Sequence, residues 1–225
     1  MNGFMIVLII LAFALTMWAQ FKVKGTFKKW STVPTSSGLT GYQAARRMLD
    51  NNGLHDVPIE PVAGALTDHY DPINRVVRLS EPVYYETSIS AIAVACHEIG
   101  HAIQHKESYP FLVARHRIFP IVNFASGVAP FLLIAGFLFN MFGLAQLGVI
   151  FFACTVLFQL ITLPVEFNAS NRARDIMISE GFIQSDEERG VAKVLNSAAL
   201  TYVAAALLSL LELIRYILLV TQNRE

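Results

Sequence analysis

Four long stretches of this chain carry almost no charge, which is too much uninterrupted apolar length for an ordinary water-soluble domain of 225 residues. Gly3 to Ala19 is uncharged and just long enough to span a bilayer. Pro120 to Phe142 and Leu144 to Val165 each suffice to cross roughly 30 Å of hydrocarbon. Gly143 separates them, which predicts a turn there and a transmembrane hairpin. Ala198 to Val220 is broken only by Glu212 and Arg215, three residues apart and so able to pair on one helix face or to snorkel. With 54% hydrophobic and 15% charged residues, the chain is expected to be a mainly α, polytopic membrane protein with about four transmembrane helices.

Basic residues set the expected orientation. Lys22, Lys24, Lys28 and Lys29 follow the first apolar block, whereas a cleaved signal peptide carries its positive charge in front, so the block reads as a retained anchor. Cytoplasmic loops hold the Lys/Arg excess, which puts residues 21 to 119 in the cytosol; Arg115 and Arg117 before the second span and Arg172 and Arg174 after the third agree. Seventeen basic and seventeen acidic side chains cancel, and the basic ones sit beside spans without aromatic interleaving, so nothing points to nucleic acid. Cys96 and Cys154 lack zinc-ligand spacing, and a cytosolic face argues against a disulfide.

Between the spans the chain reads as a small α+β lobe. Ser31 to Gly41 is a Ser/Thr/Gly/Pro-rich linker. Thr40 caps a helix from Gly41 to Asn51, stopped by Asn52-Gly53. Two prolines keep Val57 to Val62 extended, as an edge piece. Asp68 to Pro72 is a turn, and Asn74 to Ser80 is the best strand in the chain. Arg75 to Ser80 is the candidate edge for pairing with an extended peptide.

The chemistry-bearing pattern is His97-Glu98-Ile99-Gly100-His101. On a helix opened by Thr87 or Ser88, the two histidines lie one turn apart on one face, where both can reach one Zn²⁺. Glu98 stands beside them, placed to take a proton from a water acidified by the metal. The small and apolar run Ser88 to Cys96 buries this helix, and two imidazoles and a carboxylate are costly to bury without a partner. Gly100 weakens the helix by about 1 kcal/mol relative to Ala, which makes sense where substrate or another backbone must approach closely.

A catalytic zinc needs a third protein ligand. His105 continues the four-residue spacing but would lie about 12 Å along the helix from His97. His55, His69 and His116 have no surrounding pattern. Glu166 is the better candidate: it sits at the end of the third span, and a hairpin that leaves and returns brings it to the same membrane side as His97 and His101.

At this point the chain resembles the YugP-type membrane zinc metallopeptidases of bacteria. The resemblance rests on His69-Tyr70-Asp71-Pro72, Arg78-Leu79-Ser80, Val83-Tyr84, the run Ala91 to Gln104, and Pro164 to Ser170, all in order within a four-span layout. It implies a zincin-like lobe, His97, His101 and Glu166 as zinc ligands, and Glu98 as general base. In the wider glutamate-ligand group an aspartate often stands four residues after the ligand and orients a zinc-bound histidine; here that position is Ser170, leaving Asn168, Asn171, Asp175 or a carboxylate from elsewhere in the chain as substitutes.

The expected organisation is a transmembrane anchor (1–20), a cytosolic catalytic lobe (21–119), a transmembrane hairpin (120–165), a cytosolic helical segment completing the metal site (166–197), and a fourth transmembrane helix with its tail (198–225). The expected function is zinc-dependent hydrolysis of peptide bonds at the cytosolic face of the bacterial plasma membrane, with Tyr70, Tyr84, Tyr85, Tyr109, His69 and His105 all eligible to stabilise the oxyanion. A peptide or protein substrate and the lipid bilayer are the expected partners; a regulatory membrane partner or a homo-oligomer stays open. The rivals are a scaffold in which zinc only staples helices, which would want four protein ligands, and a transporter, which would want ionisable residues in several spans.

Overall fold

The computed structural model describes residues 3–222, three-quarters of the chain's architecture being helix around one small sheet. Seven helices and three strands follow in the order α1 (Gly3–Trp30), α2 (Gly41–Asn51), β1 (Ile59–Val62), β2 (His69–Asp71), β3 (Val76–Ser80), α3 (Glu81–Tyr85), α4 (Ile89–Lys106), α5 (Pro110–Leu138), α6 (Phe142–Ser179) and α7 (Glu188–Gln222). Helices α1, α5, α6 and α7 are each long and apolar enough to cross a membrane. The chain divides into two compact units, one of residues 1–20, 113–164 and 200–225 so far as they are described, the other of 21–112 and 165–199.

In the first unit, large apolar side chains point outward: Phe13 and Trp18 on α1, Phe124 and Phe131 on α5, Ile150 and Leu157 on α6 are all exposed. Small residues bring its helices together. A Cβ on Gly136 would lie 2.4 Å from the Ala145 nitrogen, and one on Gly148 would lie 2.9 Å from Leu133, so these two glycines serve intramolecular packing. Gly127 and Gly143 meet nothing. The turn between α5 and α6 falls at 139–141, not at Gly143, which lies inside α6. Asn140 takes the left-handed conformation there (φ 54°), as a short polar side chain can. Glu212 and Arg215 pair within α7 (2.8 Å), and the guanidinium also lies over the Tyr216 ring.

The second unit is built around α4, which is buried on nearly every side. Helix α2 begins as expected: Thr40 accepts from the Gln43 N–H while the Gln43 side chain accepts from the Thr40 N–H, a reciprocal cap. Met48 and Leu49 of α2, Val77 and Leu79 of β3, Ile92 and Ile99 of α4, and Met177 of α6 are fully buried in one core. The segment read as a linker is pinned down, since Thr35 donates to the Thr87 carbonyl (2.9 Å) and Val33 accepts from the Ile89 N–H (2.9 Å).

The sheet corrects one expectation. Its order is β1-β3-β2, with β1 parallel to β3 and β2 antiparallel to it. The strand expected to offer a free edge, Arg75 to Ser80, therefore lies in the middle, and Arg75 itself sits in the preceding turn at φ 51°. Val76, Val77, Leu79 and Ser80 are buried and Arg78 alone is half-buried, the burial of a strand covered on both faces rather than the alternation of a half-exposed one. The segment read as a turn supplies the real edge facing α4, the three residues of β2.

Candidate active site

Ser88 caps α4 by accepting from the Ala91 N–H, and the helix then carries His97 and His101 one turn apart, their rings edge to face with centroids 4.8 Å apart. Glu98, rotated about 100° around the helix, is only 8% exposed, and its Oε2 accepts from the Tyr70 backbone N–H of β2 (3.0 Å). Within the antiparallel pair Tyr70 faces Val77, whose own N–H goes the other way, to the Pro58 carbonyl. The outward N–H of β2 is thus the one that holds Glu98. The loop before β2 is fixed by Asp68, which accepts from the Ser80 N–H (2.7 Å) and hydroxyl (3.0 Å).

The third side chain comes from α6. Gly100 faces that helix so closely that a Cβ there would lie 2.7 Å from the Ala169 carbonyl oxygen and 3.1 Å from its Cα. The close approach expected at Gly100 is therefore that of another helix backbone. It delivers Glu166, 3% exposed, with its Oε2 3.4 Å from His97 Nε2 and 3.6 Å from His101 Nε2. The ligand atoms of His97, His101 and Glu166 all lie within 4.8 Å of one another.

These separations are long for hydrogen bonds. The two from Glu166 lie close to the edge of a tetrahedron whose donors stand about 2.0–2.1 Å from a central ion, roughly 3.3–3.4 Å. Two imidazole nitrogens and one carboxylate oxygen also form a donor set suited to zinc with one position left open. The site's own electrostatics favour a cation. Burial opposes charging of His101, but the carboxylates of Glu166 and Glu98 and the Gln104 side chain outweigh it, leaving its pKa above the ordinary imidazole value.

Each imidazole is held at its other nitrogen. Ser170 Oγ lies 3.1 Å from His97 Nδ1, so the residue that departs from the aspartate pattern supports a histidine itself. Gln104 Oε1 lies 3.0 Å from His101 Nδ1, while Gln104 Nε2 donates to the Val165 carbonyl and to Asn168 Oδ1, both at 2.9 Å. Asn171 and Asp175 are exposed. No spacing rule singles out Gln104; its signal in the sequence is a glutamine three residues after His101 on a largely apolar buried helix.

Among the described residues the other histidines do not join the three-donor cluster. His105 Nδ1 bonds the Tyr70 hydroxyl (2.8 Å), and burial pushes that phenol's pKa up, keeping its proton. His55 pairs with Asp50, His69 Nδ1 lies 2.8 Å from the Thr67 carbonyl, and His116 belongs to the other unit. Tyr84 stacks on Tyr42, Tyr85 is exposed, and Tyr109 packs on Phe111. Cys96 is fully buried and burial pushes its thiol well up, which leaves it an inert core residue.

Comparison with known proteins agrees with this geometry. The chain is 64% identical over 220 residues to "Putative membrane protease YugP" of Bacillus subtilis (strain 168), covering 98% of each chain. No solved structure matches it. A family model described as "Putative neutral zinc metallopeptidase" matches residues 5–221, nearly the whole chain, and this membrane protein belongs to that family.

Proposed function

We propose that the chain is a membrane-embedded zinc endopeptidase in which His97, His101 and Glu166 hold the metal and Glu98 is the general base. The observation that carries this reading is the pairing of a three-donor cluster with a buried carboxylate that is not one of the donors. Among the described residues a fourth protein donor does not join the cluster, and three donors leave a coordination position open where a stapling site would close it.

Zinc bound there would supply Lewis acidity, acidifying water and polarising the scissile carbonyl. Glu98 does the proton work. One of its oxygens is engaged by the Tyr70 N–H, which fixes the carboxylate and leaves the other to accept a proton from the attacking water as the new C–O bond forms. The same carboxyl then gives that proton to the leaving amine as the C–N bond breaks. We place the substrate beside the outer edge of β2, where main-chain carbonyls, the Tyr70 N–H being held by Glu98, pair with an extended peptide with little sequence preference. Lys22, Lys24, Lys28 and Lys29 on α1 and Arg172 and Arg174 on α6 support a cytosolic site in a bacterial plasma membrane.

Replacing Glu98 by Gln keeps the side-chain shape and removes the base. Glu98→Gln is expected to bind zinc as wild type does and to lose peptide hydrolysis by roughly 10²–10⁴-fold. An unchanged rate removes Glu98 from the mechanism.

A further inference from the structure

The hydrogen bonds behind the two histidines are not equivalent. An amide looks the same to its neighbours from either end unless a group of fixed polarity tells them apart. Such groups surround Gln104, which is wholly buried. The Val165 carbonyl can only accept, so the Gln104 atom facing it at 2.9 Å must be the NH₂ nitrogen. A second marker agrees. Arg172 Nε can only donate, and it lies 2.7 Å from Asn168, so the Asn168 atom there is the oxygen; that same oxygen accepts from Gln104 Nε2. Arg172 is itself anchored by Glu107 at 2.7 Å.

With both N–H groups of the Gln104 amide committed, its oxygen faces His101 Nδ1. A carbonyl oxygen requires a donor, so Nδ1 carries the hydrogen, and the neutral ring has its lone pair on Nε2, toward His97 and Glu166. Ser170 imposes nothing comparable on His97, because a hydroxyl can donate or accept.

We propose that Gln104 is a positioning residue that locks His101 in its metal-binding tautomer, and that Asn168 acts on the site through Gln104. The three residues that set this lock (Val165, Asn168 and Arg172) come from the stretch of α6 that also supplies Glu166, so docking of α6 against α4 delivers a ligand and prepares another in one step. His101 is thereby oriented for the metal before it arrives, with Nε2 the nitrogen that gives up its proton on binding, and His97 is the ligand free to adjust. This inference rests on the metal site proposed above but not on peptide hydrolysis.

The test is zinc affinity by chelator competition on detergent-purified full-length protein, with thermal unfolding of the metal-free form recorded beside it. Gln104→Met keeps the side-chain length without polar atoms and is expected to weaken zinc binding by roughly 10–100-fold, the range for loss of a partner behind a metal ligand. Asn168→Ala is expected to weaken it less. Placed in the Gln104→Met background, Asn168→Ala is expected to add nothing. Wild-type affinity in folded Gln104→Met overturns the proposal, as does full additivity of the two changes, which would make Asn168 act independently. Should Gln104→Met not fold, Asn168→Ala alone decides: weaker zinc binding at unchanged unfolding temperature supports the lock, and wild-type binding overturns it. A wild type that binds zinc but cleaves no peptide contradicts the peptidase reading and leaves this test standing. A folded wild type that binds no zinc overturns both.

Discussion

Helix α6 is two different objects on either side of Pro164. In residues 142–164, apolar side chains such as Ile150 and Leu157 face outward, more than half exposed. In residues 165–179 the relation inverts: Val165, Ala169, Ala173 and Met177, spaced by four, are fully buried, while Asn171, Arg174 and Asp175 face solvent. The first half has lipid as its solvent and gains little by hiding apolar groups. The second half obeys the rule for an amphipathic helix in water, one apolar stripe turned to a core. Glu166 stands just past the switch, on the inward side, where a carboxylate survives burial only because His97 and His101 face it. Helix α6, apolar before Pro164, thus supplies the lobe with the carboxylate of its His/His/Glu cluster.

The contrast is tested most severely by truncation on each side of Pro164. Met177→Ala is expected to cost about 2–5 kcal/mol, as for other buried large-to-small changes, whereas Leu157→Ala should fall within about 0.5 kcal/mol. Thermal unfolding in detergent measures both, and equal losses would erase the distinction between the two halves.

A sharper probe is Gly100→Ala, which adds a methyl where Ala169 leaves no room. We expect a stability loss of about 1–3 kcal/mol, typical of overpacking, together with weakened zinc binding as α6 moves off α4. Unchanged affinity in that variant would show that Glu166 does not depend on the close approach. The smallest effect is expected at Ser170. Ser170→Ala should weaken zinc binding by about tenfold, the low end for a residue behind a metal ligand, with the unfolding temperature nearly unchanged; a chelator titration decides, and a larger effect than Gln104→Met would reverse the ranking of the two histidine supports.

Much of this was legible in the chain because the signals are local. Charge-free length marks the four spans, Thr40 marks the start of α2, and the 97–101 spacing marks the helix of the two clustered histidines. Glu166 needed one further step, the return of a hairpin to its starting side. What escaped depends on partners distant in sequence. The placement of β3 in mid-sheet follows from parallel pairing with β1, which no local alternation announces. The α5–α6 turn settled on Asn140 because asparagine can adopt the left-handed conformation that glycine is expected to supply. The role of Gln104 exists only once Val165 and Asn168 are beside it, and the bond to Glu98 comes from a backbone N–H, which every residue but proline carries.

The most direct measurement is zinc per chain by elemental analysis of detergent-purified wild type beside Glu166→Ala, with folding checked for both. A site shared by α4 and the lobe half of α6 predicts about one zinc per wild-type chain and clear loss in the variant. Zinc retained undiminished in folded Glu166→Ala would contradict it.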